Sequence, residues 1–333
     1  KSVTTLNLDN YRSELEPGII PKSVTTLYLG SYLSKLKPGI IPKSVTTLYL
    51  GNYQSKLEPG IIPKSVTTLN LDNYRSELKP GIIPKSVKTL HLGKYGYWNE
   101  LKPGIIPASV TELFLGNYTF KLREIIIPNS VTTLHLGKCE NNNEEYYYGL
   151  IKGIIPKSVT TLYLDSYKYQ LESGHIPKSV TTLNLGNYDG IKLNTGVIPK
   201  SVEILDLGQS NIKISKEVIP NTVTTLNLGE YSLEIEANTI HDTVKTINLG
   251  KYPKQLTHTN IPNTVTTINL GEYPFELKEG MIPPTVTTIN LGEYPFELKE
   301  GMIPPTVTKV LLGNYSKLNE SVKRCIDAKI IEQ

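Results

Sequence analysis

One pattern of apolar and polar positions recurs along the whole chain. In its second copy the apolar positions are Val24, Leu27, Leu29 and Tyr32, and polar residues separate them. The motif returns after 21 residues in most copies, and fifteen copies can be counted. A period this short, held over so many copies, predicts a stack of similar turns rather than a globule with one central core.

Each copy is expected to contain one short strand. The alternation of Leu27 and Leu29 predicts a strand with one buried face, because successive side chains of a strand point to opposite sides. Gly30 then ends the strand as a turn residue. The segment that returns to the next strand, such as residues 17–21, is too short for a helix and carries Pro and Gly, so we expect extended chain there. Stacking would place the strands in one parallel sheet, in a solenoid of mild curvature.

The array and the end of the chain are expected to differ. We predict that residues 1–315 form one solenoid of about fifteen 21-residue turns. The following segment lacks the motif, and Asn319 is a suitable first residue for a helix cap. A helix there would carry four apolar residues on one face, namely Val322, Cys325, Ile326 and Ile330. We therefore predict that residues 316–333 form a C-terminal helical cap over the last apolar row.

Between its two leucines each copy has one side chain that we expect on the open face of the sheet. From the second to the eighth copy this position is aromatic or His in six of seven cases: Tyr28, Tyr49, His91, Phe114, His135 and Tyr163. From Asn227 to Asn290 it is Asn in four successive copies. A row of exposed aromatic residues is typical of a surface that a partner covers. Alternatively, aromatic residues simply favour strands and stack on their neighbours along the sheet.

Further aromatic residues lie in or beside insertions in the middle copies. We expect five of them to leave the stack on the rim beside this row: Trp98, Phe120, Tyr146, Tyr147 and Tyr148. Insertions in repeat proteins tend to lie on the binding side, and Tyr and Trp anchor many protein interfaces. The sequence therefore predicts a protein-binding patch across copies five to eight.

Two other columns of the repeat are interpreted as structural. The motif tyrosine, present from Tyr11 to Tyr315 but replaced at Cys139 and Ser210, is expected to be half buried, with its hydroxyl on backbone or water. The threonines before the first strand leucine are expected to form hydroxyl ladders between copies.

Composition and motifs argue against several classes of function. The net charge is only +4, with 35 Lys and Arg against 31 Asp and Glu, and the lysines are spread at the repeat spacing, so nucleic-acid binding is not indicated. Two cysteines suggest a reducing compartment, and no apolar run is long enough to span a membrane. His91 and His135 are expected about 10 Å apart, too far to share a metal. We expect no catalytic site, cofactor or metal, and a cytoplasmic location.

The motif resembles the leucine-rich repeat, whose short strands line one face of a solenoid. The sequence Ile-Pro-x-Ser-Val-Thr-x-Leu-x-Leu-Gly, as in residues 20–30, is closer to the FNIP (IP22) repeat of social amoebae and giant DNA viruses. The resemblance covers about residues 1–315. One Tyr replaces the Phe-Asn pair that names the family, and most copies have 21 residues rather than 22.

The resemblance also implies a function. FNIP arrays often follow an N-terminal F-box, which recruits ubiquitin-ligase subunits while the repeats hold the substrate. This implies the substrate-recognition part of an F-box-type ubiquitin-ligase adaptor, in the cytoplasm of the host if the protein is viral. No F-box lies within residues 1–333. The alternatives are a structural or surface protein, for example of a virion, and a glycan-binding module that uses the aromatic row.

Overall fold

The protein forms two compact units, residues Lys1–Lys168 and Tyr169–Gln333. The computed structural model describes residues 2–93, 101–116, 122–123, 125–137, 150–188, 190, 192–317 and 330–332. The N-terminal unit contains β1 (Thr5–Asn7), β2 (Thr26–Tyr28), β3 (Thr47–Tyr49), β4 (Thr68–Asn70), β5 (Thr89–His91), β6 (Glu112–Phe114), β7 (Thr133–His135) and β8 (Thr161–Tyr163). The C-terminal unit contains β9 (Thr182–Asn184), β10 (Ile204–Asp206), β11 (Thr225–Asn227), β12 (Thr246–Asn248), β13 (Thr267–Asn269), β14 (Thr288–Asn290), β15 (Lys309–Leu311) and β16 (Ile330–Glu332).

Within each unit, successive strands pair in parallel and in the same register. Leu27 of β2 lies opposite Leu48 of β3, and Tyr28 lies opposite Tyr49. In the C-terminal unit Asn248 of β12 lies opposite Asn269 of β13 in the same way. One strand comes from each motif copy, so equivalent residues form columns along the sheet. The predicted parallel sheet with a 21-residue period is confirmed.

The apolar positions of the motif form the core. Val24, Leu27 and Leu29 are 0% exposed, and Leu36 and Ile41 are 1% and 3% exposed. Each core side chain packs against its counterparts in the neighbouring copies, so the core is a thin row that grows with every turn. The isoleucine before each proline points inward, as the sequence predicts.

The return segment is built from turns, which corrects the prediction of extended chain. The Ile40 amide donates to the Lys37 carbonyl at 3.3 Å, and Gly39 between them has a φ of +90°. Pro followed by Gly with positive φ is the arrangement of a type II turn. A second turn follows at once, where the Val45 amide donates to the Pro42 carbonyl at 3.1 Å. Two successive turns therefore reverse the chain, the first with Pro and Gly at its centre and the second beginning at a proline.

The motif tyrosine is half-buried at Tyr11, as predicted, but in the later copies that the structure describes it is fully buried. Tyr53 is 0% exposed, and its hydroxyl oxygen accepts a hydrogen bond from the Leu36 amide at 2.7 Å while donating to the Ser34 carbonyl at 3.4 Å. The same acceptance from the amide 17 residues earlier occurs at Tyr32, Tyr74, Tyr167, Tyr188, Tyr231, Tyr252, Tyr273, Tyr294 and Tyr315. The tyrosine of one copy thus satisfies the backbone of the copy before it.

Ser210 occupies the tyrosine position in one copy and is also buried. Its side chain is 0% exposed and its hydroxyl has no hydrogen-bond partner. Two residues later Ile212 is 4% exposed, whereas Leu233, the corresponding residue of the next copy, is only half-buried. We infer that Ile212 turns inward to fill the volume that the missing ring leaves.

Hydroxyl ladders join the copies, although their acceptors are backbone carbonyls. The Thr25 hydroxyl donates to the Thr4 carbonyl at 3.3 Å, and this bond recurs in later copies. A second ladder, which the sequence did not suggest, runs through the residue before the motif valine. Ser23 donates to the Val3 carbonyl at 2.6 Å, and Thr285 donates to the Val265 carbonyl at 2.8 Å.

The C-terminal segment does not support the predicted helical cap. Ile330, which the prediction placed on the apolar face of that helix, begins β16 and pairs with Lys309 of β15. Residues 318–329 lie outside the described residues. The step from 309 to 330 is again 21 residues, so an added strand pairs with the polar backbone edge of β15, which a helix would leave open. The described part of the chain contains no helix that could cross a membrane.

Candidate functional site

The candidate site is the open face of the sheet in the N-terminal unit, which we call the strand face. Strands β2 to β8 share one burial pattern, with the middle residue buried and the first and third residues half-buried. Each strand therefore presents two side chains on this face, not the single one that the sequence suggested. The added column consists of the first strand residues, which are Thr in every strand of this unit except β6, where Glu112 stands.

Four rings from four successive strands form one continuous stack on the strand face. The ring centroids of His91 and Phe114 are 4.0 Å apart, those of Phe114 and His135 are 3.9 Å apart, and those of His135 and Tyr163 are 4.1 Å apart. The planes differ by at most 17°. We call these four residues the ring stack. It forms because the parallel register brings the third strand residues to neighbouring positions on β5 to β8.

Tyr28 and Tyr49 form a separate pair. Their centroids are 4.3 Å apart with planes 4° from parallel. Asn70 interrupts the row between this pair and the ring stack, and its amide nitrogen donates to the Asp72 carboxylate at 2.8 Å. The six strand-face residues of the prediction thus form two groups rather than one row.

Stacking determines what the rings offer to a partner. Both faces of Phe114 and His135 are covered by neighbouring rings. The side chain of His135 is only 14% exposed. The ring edges therefore form the accessible surface, and edges carry the positive end of the ring quadrupole, which suits carbonyl and carboxylate oxygens. The rings do stack on their neighbours along the sheet, which the structural interpretation of this row predicted.

Two carboxylates flank His135 on opposite sides of the ring stack. The carboxylate of Glu112 lies 3.9 Å from His135 Nε2, and that of Asp165 lies 3.4 Å from His135 Nδ1. Glu112 also accepts a hydrogen bond from the Thr89 hydroxyl at 3.0 Å. Glu112 comes from the start of β6 and Asp165 from the residues after β8, so the two acids approach from the two ends of the strands. Neither acid was predicted from the sequence, although each differs from the commonest residue of its repeat column.

Burial alters the ionisation of two residues on this face. Burial lowers the pKa of His91, and the carboxylates of Asp72 and Glu112 oppose this effect only in part. His91 is therefore neutral at neutral pH. Burial, with Tyr28 close by, raises the pKa of the Tyr49 phenol. Both rings therefore stay uncharged at neutral pH.

The other five predicted site residues belong to segments outside the described part of the chain, namely Trp98, Phe120, Tyr146, Tyr147 and Tyr148. Their position on the rim beside the ring stack stays a prediction.

The equivalent row of the C-terminal unit is an amide ladder. The Asn227 amide nitrogen donates to the Asp206 carboxylate at 3.4 Å. Asn248 donates to the Asn227 amide oxygen, and Asn269 donates to that of Asn248. The two units therefore present different chemistry at the same repeat position, aromatic in one and amide in the other.

The described residues hold no group of three or more His, Cys, Asp or Glu side chains that could bind a metal ion. Phe114 lies between His91 and His135, which keeps the two imidazoles apart. Glu112 and Asp165 face opposite nitrogens of His135, so they do not converge on one point. The arrangement is suited to surface recognition.

The parallel sheet, the 21-residue turns and the buried leucine columns define a leucine-rich-repeat type of solenoid. The FNIP repeat matches residues 1–32, 32–72, 53–95, 97–139, 149–188 and 192–231, which together make up more than half of the chain. The chain belongs to the FNIP repeat family. No curated protein matches it.

Solved structures with a similar fold are leucine-rich-repeat proteins. CroV588, described as a novel circular LRR protein, aligns with a TM-score of 0.61 and 22% identity over 90% of this chain and 45% of its own. The protein of the TLR13–ssRNA13 complex aligns with a TM-score of 0.52 and 13% identity over 92% of this chain and 48% of its own. The chain thus spans less than half the length of either neighbour. At these identities the likeness concerns the fold.

Proposed function

We propose that this protein is a non-enzymatic protein-interaction scaffold whose binding surface is the strand face of the N-terminal unit. The observation that carries the proposal is the ring stack, where four successive copies place aromatic or imidazole rings on an open sheet face. The rings are half-buried and keep their edges accessible, and a contiguous patch of aromatic rings is what many protein interfaces use as an anchor. The comparisons support the scaffold class, since they indicate repeat solenoids and no enzymatic family.

The finer proposal is a substrate receptor for ubiquitylation. Its support is family resemblance: FNIP arrays are often joined to an F-box, and the repeats then hold the protein to be modified. In that role the strand face binds the substrate, and ligase subunits bind a domain other than these repeats. TLR13, a similar solenoid, is known in a complex with ssRNA, so the fold is compatible with carrying a ligand.

The test is affinity capture from a host-cell lysate with the 333-residue chain as bait. Phe114→Glu places a charge within the ring stack, and Trp98→Ala removes the predicted rim anchor, so both variants should lose the captured protein. Asn290→Ser, at the same strand position in the C-terminal unit, is the matched control and should retain it. Each variant is first checked for an unchanged thermal unfolding midpoint.

Two results would count against the proposal. Loss of capture in Asn269 and Asn290 variants, with Phe114→Glu unaffected, would move the surface to the C-terminal unit. Capture of nothing by any variant would favour the structural alternative, a rigid spacer. That alternative is supported by neighbouring copies that are identical, residues 264–287 and 285–308. A glycan site is less favoured, because sugars stack on ring faces and the ring stack exposes edges.

A further inference from the structure

Departures from the repeat converge on one residue of the ring stack. Within β1 to β8, Glu112 is the one first strand residue that is not Thr. Asp165 stands two residues after its strand, where most copies have Gly and only Asp9 and Asp72 of this unit also have Asp. Both carboxylates face His135, at 3.9 Å and 3.4 Å. In an array whose repeated residues build the scaffold, residues that break the repeat at one place indicate a specific role there.

The charge of this patch is local and negative. Of the sixteen first and third residues of β1 to β8, Glu112 alone carries a formal charge, if histidine is counted as neutral. The side chains of Glu112 and Asp165 are 39% and 50% exposed, so both can reach a partner. The repeat lysines, such as Lys43 and Lys64, lie in the turns that precede the strands.

The unit as a whole has the opposite charge. Residues 1–168 contain 20 Lys and Arg against 13 Asp and Glu. Non-specific association of a basic partner with this unit is therefore disfavoured. Along the ring stack, Glu112 and Asp165 form a pair of carboxylates at His135, and Asp72 is a single carboxylate near His91. An acidic partner would meet two carboxylates at the centre of the ring stack.

We propose that the strand face binds an extended basic segment of a partner protein, in which two adjacent Arg or Lys residues straddle His135 and pair with Glu112 and Asp165. This deepens the proposed function and rests on it. The two carboxylates lie on opposite flanks of the row of rings, beside one imidazole. Consecutive side chains of an extended segment point to opposite sides, so adjacent basic residues would reach both acids. The carbonyl groups of such a segment would meet the ring edges.

The first test compares two labelled peptides that have the same composition. Ser-Gly-Ser-Arg-Arg-Ser-Gly-Ser places its arginines on opposite sides, whereas Ser-Gly-Arg-Ser-Arg-Ser-Gly-Ser places them on one side. Binding to the full chain is measured by fluorescence polarisation and by shifts of the His135 ring signals in NMR. We expect the adjacent pair to bind roughly tenfold more tightly than the separated pair.

The second test uses variants for which the repeat itself supplies the replacement. Glu112→Thr and Asp165→Gly restore the residues that other copies carry at these positions, so the fold should be retained. We expect the double variant to lose the preference for the adjacent pair. Glu300→Gln, which removes one exposed carboxylate from the C-terminal unit, is the control and should bind like the parent.

Equal binding of the two peptides, no binding of either, or unchanged binding by the double variant would overturn the proposal. So would a loss in Glu300→Gln as large as that in the double variant, since binding would then follow total charge. The two proposals can fail separately. If Phe114→Glu abolishes capture from lysate while Glu112→Thr with Asp165→Gly leaves it intact, the strand face is the surface and the basic partner is wrong.

Discussion

At the scale of single residues, the buried tyrosine links each copy to the one before it. In the C-terminal unit the Tyr252 hydroxyl accepts from the Ile235 amide at 3.0 Å and donates to the Leu233 carbonyl at 3.1 Å. Without this hydroxyl, one buried amide and one carbonyl would lose a partner where water has little access. The ring fills space in the core, and the hydroxyl supplies hydrogen-bond partners to polar backbone groups of the return segment, which would otherwise be buried without them.

We predict that Tyr252→Phe lowers the free energy of unfolding by about 1–3 kcal/mol, because it leaves the Ile235 amide buried and unpaired. The measurement is denaturant unfolding followed by circular dichroism. Tyr163→Phe is the control, since that hydroxyl belongs to a half-buried ring on the strand face, and its effect should stay within about 0.5 kcal/mol. Equal effects of the two substitutions would contradict the role assigned to the buried hydroxyl.

Ionisation of the same tyrosine has a predictable consequence at high pH. Burial raises the pKa of Tyr252 to about 12, from the usual 10.0. An acid whose pKa is higher in the folded than in the unfolded state stabilises the fold below the unfolded value, and this contribution is lost as the pH rises towards the folded value. Alkaline unfolding should therefore set in above the ordinary tyrosine pKa.

The burial of His91 predicts that the stability of the fold decreases at acidic pH. The pKa of this residue is lowered by burial, so the fold favours the neutral ring, and stability should fall as the pH drops through the ordinary histidine value. The thermal midpoint should therefore decrease between about pH 7.5 and about pH 5.5. His91→Phe keeps a ring in the stack and should reduce this decrease. The pKa of His175 is lowered for the same reason, so part of the decrease should remain. An identical pH dependence in parent and variant would show that His91 is not responsible.

For single residues, the sequence correctly predicted which side chains point into the core, but it did not predict their hydrogen-bond partners. Alternation was enough to assign Leu27 and Leu29 to the core and Tyr28 to the surface, because side-chain direction in a strand depends on local geometry. The full burial of Tyr53 could not be inferred in the same way. Its hydroxyl partners, Leu36 and Ser34, belong to the preceding turn, and the match of 17 residues is visible only in the folded chain.

At the scale of elements, each strand is too short to be stable alone and depends on its neighbours in the sheet. The side-chain columns add to the backbone pairing. In the C-terminal unit the amide nitrogens of Asn227, Asn248 and Asn269 all donate towards the preceding strand, and the series begins at the Asp206 carboxylate. A carboxylate accepts hydrogen bonds but has no proton to donate. The amide of Asn227 must therefore point its nitrogen towards Asp206, and this fixes the direction of the ladder.

The direction of the ladder can be tested with one atom. In Asn248→Asp an acceptor would replace the donor that faces the Asn227 amide oxygen, so we expect a loss of about 1–3 kcal/mol in the free energy of unfolding. Asn290→Asp is the matched control, because there the side-chain oxygen accepts from the Gly292 amide at 3.1 Å and a carboxylate can do the same. The residues opposite it, Asn269 and Leu311, are uncharged. Denaturant titration of both variants makes the comparison. A larger loss in the control would refute the assigned direction.

The strands that follow from the alternation of apolar and polar residues were predicted correctly, whereas the element at the C-terminal end of the sheet was not. The helix expected at the C-terminus rested on the apolar spacing of Val322, Cys325 and Ile326. Ile330 instead continues the sheet as part of β16, at the 21-residue step from Lys309. That step could have been counted in the sequence, but the motif residues that would have marked it are largely absent. The convergence of Glu112 and Asp165 on His135 likewise required the strand register.

At the scale of the whole molecule, the first copy differs from those inside the stack. Val3 is 50% exposed, whereas the equivalent Val24 and Val45 are 0% exposed. In the 333-residue chain as given, this copy is covered on one side only, so it should open locally more readily than an inner copy.

Hydrogen exchange of the 333-residue chain should show this difference. The Leu8 amide donates to the Tyr28 carbonyl at 2.9 Å, and the equivalent Leu50 amide donates to the Asn70 carbonyl at 2.8 Å. Although the two bonds are nearly equal in length, we expect the Leu8 amide to exchange at least roughly tenfold faster, because its copy opens more readily. Equal exchange rates would indicate that the N-terminal unit opens as a whole.

The hydrogen bond to the buried tyrosine also joins residues that are synthesised at different times. On the ribosome the chain emerges from its N-terminus, so the Leu36 amide appears before Tyr53, the residue that satisfies it. Each turn is therefore completed only after 17 further residues have emerged from the ribosome, because the tyrosine of the next copy completes it. Folding of the array during translation should thus lag behind the emergence of the chain from the ribosome by about one turn, and the last copy to emerge would still lack its tyrosine partner. A stalled ribosome would leave that single copy open to proteases and chaperones while the earlier turns remain closed.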